Sequence, residues 1–298
     1  MNDAPCADIA RAQGESLHAT ASIVHSWVLL EQPGPWGRDA VNDSRLPPAV
    51  AAALEQQSTE HRFRLLLLRH TGPETAHRRR CFVAHSGRAA PWIVEGTIDD
   101  PAALLDVDFA GLRQGKPPGF GAPRSTPLYL ICTNGRHDPC CARFGRPIVR
   151  ALAGRFGDSV WECSHVGGDR FAGNLVCLPH ALYFGGLGPE EARRVTERYA
   201  EGRIDLDHYR GRAGDPYAVQ AAEFFVRRRA DLDGVDDVVP VWYGKLRTGV
   251  VQVELEGPSE RRFEVQVGIA PAAARKLTCS STSSEHPLAF SLLALRDL

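Results

Sequence analysis

The chain has 298 residues, 43% of them hydrophobic, and its 35 Lys+Arg against 36 Asp+Glu leave a formal net charge of −1. That balance excludes a disordered tail protein and a chain whose whole surface is a nucleic-acid footprint. The length allows about two domains with ordinary hydrophobic cores, so the eight cysteines are not needed as staples. Five of them, Cys132, Cys140, Cys141, Cys163 and Cys177, fall in one stretch. Met1 to Glu15 lacks an apolar signal region, and runs such as Leu65 to Leu68 are far short of the roughly 20 residues of a membrane span. A reducing, cytoplasmic setting with no membrane and no nucleic acid is therefore expected. Clustered cysteines there point to metal or redox chemistry.

Along the chain, residues 1 to about 20 read as an unpatterned polar lead-in. Ser26 to Leu30 is the first strand, ending in the loop Glu31-Gln-Pro-Gly-Pro-Trp-Gly37. Asp43 or Ser44 is placed to cap a helix through Val50, Ala53 and Leu54, and Arg62 to Arg69, Cys81 to Ala84 and Pro91 to Thr97 read as strands. Arg113 to Thr126, rich in Gly, Pro and basic residues, reads as a linker, giving an N-terminal α/β domain over 1–122. Leu128 to Cys132 is a buried strand, and the next helix carries Phe144, Ile148, Leu152 and Phe156 on one stripe, with Pro147 expected to kink or restart it. Strands follow at Val160 to His165, Leu175 to Leu178 and Ala181 to Phe184, and Pro189 with Glu190 and Glu191 opens another helix. We summarise this central domain, 123–210, as β-α-β-β-α. The remainder, 211–298, reads as a helix, Tyr217 to Arg229, and strands near Val238 to Tyr243, Gly249 to Leu255 and Arg262 to Val267, the last two a β-hairpin. The first third follows the same order of elements as the centre, which suggests a degenerate repeat that a matching strand order would support.

The chemistry concentrates in Cys132-Thr-Asn-Gly-Arg-His-Asp-Pro-Cys140-Cys141 and Cys163-Ser-His165-Val-Gly-Gly-Asp169-Arg-Phe-Ala-Gly-Asn174. Asp138 suits an N-cap and Pro139 the first helical position, which sets both cysteines in the first turn, where the helix dipole favours a thiolate. Successive helical residues point about 100° apart, so one of Cys140 and Cys141 faces the site of Cys132 and the other packs. Strand alternation puts Trp161, Cys163 and His165 on one face. Gly167-Gly168 permits positive φ or close approach to a bulky group, and Asp169 can point back to the place His165 faces. Two cysteines, one imidazole and one carboxylate suit either a zinc ion or two irons with two ligands each.

These segments, the Trp27 to Gly37 stretch and the strand-rich tail resemble the sucrase/ferredoxin-like family of thioredoxin-like 2Fe-2S ferredoxins. The resemblance implies an α/β fold with a thioredoxin-like ferredoxin core. It also implies an electron carrier rather than an enzyme with its own substrate, working with a redox partner protein. The family's Cys-x8-Cys pair falls on Cys132 and Cys141, and its His-x-Gly-Gly-His motif on His165 and Asp169, the latter a carboxylate where the family has its second histidine. Replacing thiolates by neutral imidazoles raises the potential from about −400 mV to roughly −150 to +300 mV, and an anionic donor at Asp169 pulls it back down. No paired-carboxylate motif for glycoside hydrolysis is found, despite the word sucrase.

The same four residues also make a zinc reading, and Cys140-Cys141 a thiol oxidoreductase reading, the weaker for its lack of a CxxC motif. Cys163 reads as a core thiol, and Cys6, Cys81, Cys177 and Cys279 as isolated small hydrophobes. His137 either shields the cluster or is a solvated loop residue. Arg170 is read as a donor to the site or a surface charge, and Asn174 as a brace for the Gly-Gly loop. The basic runs Arg78 to Arg80 and Arg227 to Arg229 read as solvated faces or as a surface that steers an acidic partner. Trp36 and Gly37 are structural or neighbours of the cluster.

Overall fold

The structure, a computed structural model, describes residues 4–70 and 78–298. The lead-in is not without structure: α1 (Cys6–Ala12) turns Cys6, Ala7 and Ala10 inward, residues too small to show as an apolar stripe. After it come β1 (Ser26–Glu31), α2 (Pro48–His61), β2 (Phe63–Arg69), β3 (Arg79–His85), β4 (Trp92–Ile98) and the two-residue β5 (Ala122–Pro123). Neither Asp43 nor Ser44 caps α2. The Ser44 hydroxyl accepts from the Leu46 N–H at 3.3 Å one turn earlier, and the helix starts at Pro48, where a missing N–H leaves nothing unsatisfied.

The centre holds β6 (Leu128–Cys132), α3 (Pro139–Phe156), β7 (Val160–Cys163), β8 (Leu175–Leu178), β9 (Leu182–Phe184) and α4 (Pro189–Ala200). All three strands read after the helix form, with β8 and β9 paired through Val176↔Tyr183, so its order is β-α-β-β-β-α, one strand more than the β-α-β-β-α summary counts. Helix α3 continues across Pro147 without restarting. The tail holds β10 (Tyr209–Arg212), α5 (Tyr217–Ala230), β11 (Val239–Arg247), β12 (Val250–Glu256), β13 (Arg262–Pro271) and β14 (Leu288–Asp297). The expected hairpin is β12 and β13, but β11 and β14 extend it into an antiparallel sheet of order β11-β12-β13-β14.

A ten-stranded mixed sheet runs β10-β9-β8-β6-β7-β2-β1-β3-β4-β5, so strands before and after residue 122 share one sheet. The same pairing occurs in both halves. β1 lies parallel to β2 and antiparallel to β3, which is antiparallel to β4; β6 lies parallel to β7 and antiparallel to β8, which is antiparallel to β9. This is the matching strand order that a repeat requires. The halves meet where β2 runs antiparallel to β7 through Leu68↔Cys163 and Arg69↔Glu162.

Alternation along the strands builds two layers of core. On one face Trp27, Leu29, Leu66, Leu68, Phe82, Leu130, Trp161 and Tyr183 form a single cluster across both halves. On the other, Leu30, Leu67 and Cys81 pack on α2, whereas Tyr129, Ile131 and Cys177 pack with the Ile148 and Leu152 stripe of α3 and with Val195 of α4. The Arg227 to Arg229 run is a solvated face only in part. Arg227 is fully buried, its Nε donating to Glu223 Oε1 at 3.0 Å, while Arg228 and Arg229 are exposed.

Candidate metal centre

Because β6 and β7 are parallel, their carboxyl ends lie side by side with Cys132 opposite Cys163, the position at which open α/β sheets hold ligands. The chain leaves β7 at Cys163, two residues sooner than expected, since the Ser164 N–H and hydroxyl turn to the Leu67 carbonyl and N–H at 2.9 and 3.0 Å. His165 therefore stands in the loop beyond the strand. Helix α3 comes close to β6 because Gly145 has no Cβ; one placed there would collide with the Cys132 carbonyl oxygen. Asp138 caps α3 as its sequence position foretells, its Oδ1 accepting from the Cys140 N–H at 2.8 Å with Pro139 first in the helix.

From that first turn the two adjacent cysteines diverge. The Cys141 thiol faces Cys132 and His165, and the ligand atoms of these three lie within 4.8 Å of one another. Asp169 closes the group: its Oδ1 is 3.3 Å from Cys141 Sγ and 3.0 Å from His165 Nδ1, and its Oδ2 is 3.7 Å from His137 Nε2. The His137 ring stacks on that of His165 with centroids 3.8 Å apart, so His137 belongs to the site. Asp169 and both thiols are buried, whereas the two imidazoles are half-buried.

The Gly-Gly loop has the expected backbone, with φ +99° at Gly167 and +83° at Gly168. Asn174 braces it through Nδ2 to the Gly168 carbonyl at 2.8 Å. Arg210, which sequence reasoning missed, donates from one nitrogen to Asn174 Oδ1 and the Gly167 carbonyl at 2.8 and 3.0 Å. Its signal is absent from the motif because it arrives from β10. The Pro-Gly-Pro loop is a neighbour as well: Asn134 Nδ2 donates to the Gly37 carbonyl at 3.2 Å, and His137 Nδ1 lies 3.3 Å from the Arg38 carbonyl. Arg170 instead pairs with Glu15 at 2.9 Å, and Cys163 sits in the core outside the ligand group.

Electrostatics divide the thiols. The hydrogen bond from Cys141 holds the Cys132 thiol well below its ordinary range, against burial and with help from His165, and the same bond raises Cys141. Burial pulls His165 down, but Asp169 and then Cys132 more than offset it and raise the imidazole to about 9. His165 Nδ1 is nevertheless buried without an aligned hydrogen-bond partner among the described residues. An imidazole grouped with two thiols and beside a carboxylate fits a metal ligand, and the donor set suits zinc or a mixed-ligand cluster. A cavity of about 620 Å³ lined by Arg38, Asn134, His137 and His165 opens onto it.

A second thiol cluster was not legible in the sequence. Cys140 turns away from Cys141 and meets Cys6 and Cys279 beside Asp138, so Cys6 and Cys279 are not isolated hydrophobes. Two of these residues come from opposite ends of the chain, and neither belongs to any local pattern. No helix of the described residues is long and apolar enough to cross a membrane. A family model described as sucrase/ferredoxin-like matches residues 17–211. No curated protein and no solved structure matches the chain.

Proposed function

Since the chain belongs to the sucrase/ferredoxin-like family, we propose that it is an electron-transfer protein carrying a 2Fe-2S cluster on Cys132, Cys141, His165 and Asp169. The observation that carries this reading is the convergence of two thiols and an imidazole, from two loops at the ends of β6 and β7, within 4.8 Å. The strand order of the central unit supports assigning it a thioredoxin-like core. When bound, such a cluster supplies one-electron oxidation and reduction. The chain's own residues hold and orient. The first turn of α3 presents Cys141, the end of β6 presents Cys132, and the loop braced by Asn174 and Arg210 presents His165 and Asp169. Asp169 Oδ1 lies 3.0 Å from the His165 ring, and His137, stacked on that ring, lines the cavity together with it, the natural approach for a redox partner protein.

Anaerobically purified protein should be coloured, contain iron and acid-labile sulfide in equal amounts, and give an EPR signal on reduction that Cys132→Ser and Cys141→Ser abolish. Colourless protein with no sulfide, holding a zinc ion that is lost with Cys132→Ser and Cys141→Ser, would overturn this. That outcome belongs to the second reading, a zinc site on the same residues, which the single-ion spacing of the three ligand atoms favours.

A further inference from the structure

We infer that Cys6, Cys140 and Cys279, with Asp138 as fourth donor, form a separate metal site for a tetrahedral, thiophilic ion of the zinc class. The three sulfurs form a nearly regular triangle, with Cys6–Cys140 at 3.7 Å, Cys140–Cys279 at 3.4 Å and Cys6–Cys279 at 3.4 Å. Thiolates at about 2.3 Å around a tetrahedral ion stand roughly 3.8 Å apart, so the sulfurs need to move outward by only a few tenths of an ångström to take one. Asp138 supplies the fourth corner. Its Oδ1 accepts from the Cys140 N–H at 2.8 Å and its Oδ2 from the Cys279 N–H at 2.6 Å, while the two oxygens stand 3.9 and 3.8 Å from Cys6 Sγ. Each oxygen thus keeps a lone pair on the side of the sulfurs. The Cys6 N–H lies 3.4 Å from Cys279 Sγ, a contact that favours the thiolate form.

Packing alone gives a weaker account of this cluster. Cys6 and Cys279 lie outside the matched residues 17–211, one on a helix of seven residues, the other in the long connection between β13 and β14. A helix that short has little stability of its own, and no residue of that connection is fully buried. Both segments return to the first turn of α3 and bring a sulfur to the same point. A closed set of four donors is the structural kind of zinc site, in which binding energy is folding energy. Each thiol gives its proton to solvent on binding. Arg143, which pairs with Asp8 at 3.2 Å, and Lys276 line a cavity of about 290 Å³ shared with the three cysteines, which offers an entry path. The ion would pin both ends of the chain to the turn that presents Cys141 to the first centre.

The test uses the full chain with Cys132→Ser and Cys141→Ser, so that the first centre cannot contribute. Reduced, metal-stripped protein titrated anaerobically with Co²⁺ should bind one ion with thiolate charge-transfer absorption and tetrahedral ligand-field bands, and one equivalent of Zn²⁺ should displace it. Adding Cys279→Ser, a half-buried residue in a connection outside both sheets, should remove about a third of the charge-transfer intensity. It should also weaken binding beyond the roughly 10–100-fold that losing a supporting hydrogen bond costs a metal site. Independently, Zn²⁺ should slow amide exchange in residues 4–16 and 272–287 of the unaltered chain. A cobalt spectrum and affinity indifferent to Cys6→Ser and Cys279→Ser, or exchange in those segments unchanged by Zn²⁺, would overturn the assignment. Recovery of a disulfide among the three from native protein, with no cobalt bound after reduction, would do so as well.

Discussion

Asp169 touches three side chains at the first centre, Cys141, His165 and His137, and it is the residue that departs from the family's histidine pair. A carboxylate there leaves more negative charge on the site than an imidazole does, so Asp169→His should raise the reduction potential of the loaded protein, as a redox titration of both forms measures. An unchanged potential would show that Asp169 only orients its neighbours. Gly145 acts at the same scale through what it lacks. Gly145→Ala forces a methyl against the Cys132 carbonyl, and backbone cannot yield as a flexible side chain does, so we expect a loss of about 1–3 kcal/mol in thermal or denaturant unfolding together with reduced metal content. The divergence of Cys140 from Cys141 was legible at this scale, because the 100° step of a helix is a local rule. Where Cys140 then goes was not.

Among the elements, α3 gains most from its first turn, whose cap residue also anchors the Cys279 N–H. Asp138→Ala should cost about 1 kcal/mol as a lost cap, more as both N–H groups lose their acceptor, and the β13–β14 connection should become accessible to protease. Helix α5 is held differently. Its fully buried Glu223 pairs with Arg227 at 2.9 Å and with Arg88 at 2.7 Å, and Arg88 also pairs with Asp215 at 2.5 Å, which ties the loop after β3 to the tail. Burial opposes the charge of Glu223, but Arg88 and Arg227 outweigh it and hold its carboxyl at about 2, below an ordinary 4.5. The folded state then binds fewer protons than the unfolded one between those values. Glu223 therefore stabilises fully above pH 4.5, and this contribution fades as the pH falls toward 2. Burial raises Asp215, the opposite sign, so the acid dependence of the group as a whole is shallower than that of Glu223 alone. Glu223→Gln leaves the buried Arg227 short of its partner and half-buried Arg88 with Asp215 alone; a loss of about 3–5 kcal/mol at neutral pH and a flatter acid limb are expected from denaturation across pH 2 to 7. An amphipathic period over Tyr217 to Arg229 located this helix correctly, but a charged residue turned inward runs against the period, and only its partners explain it.

At the scale of the whole molecule, the two halves of the large sheet share one core even though only two residue pairs join β2 to β7. Trp161 of the second half meets Phe82 of the first edge-on, with centroids 5.4 Å apart. Trp161→Ala should therefore cost about 3–5 kcal/mol and loosen both halves together, so that amide exchange in β3 accelerates with that in β8. Acceleration confined to the second half would mean that the halves fold independently. The sequence by itself determined most of the strands, the start of α3 at Asp138-Pro139, the positive-φ glycine pair, and Cys132, one of Cys140 and Cys141, His165 and Asp169 as candidate ligands, because each of these depends on alternation, helical rotation or loop conformation within a few residues; the choice of Cys141 came from the family resemblance. The tertiary structure alone decided that His137 stacks on His165, that Arg210 braces the glycine loop, and that Cys6 and Cys279 meet Cys140. Those contacts join residues brought close by the return of the chain, Cys6 and Cys279 being 273 positions apart, and no local period carries information about where a distant segment comes back.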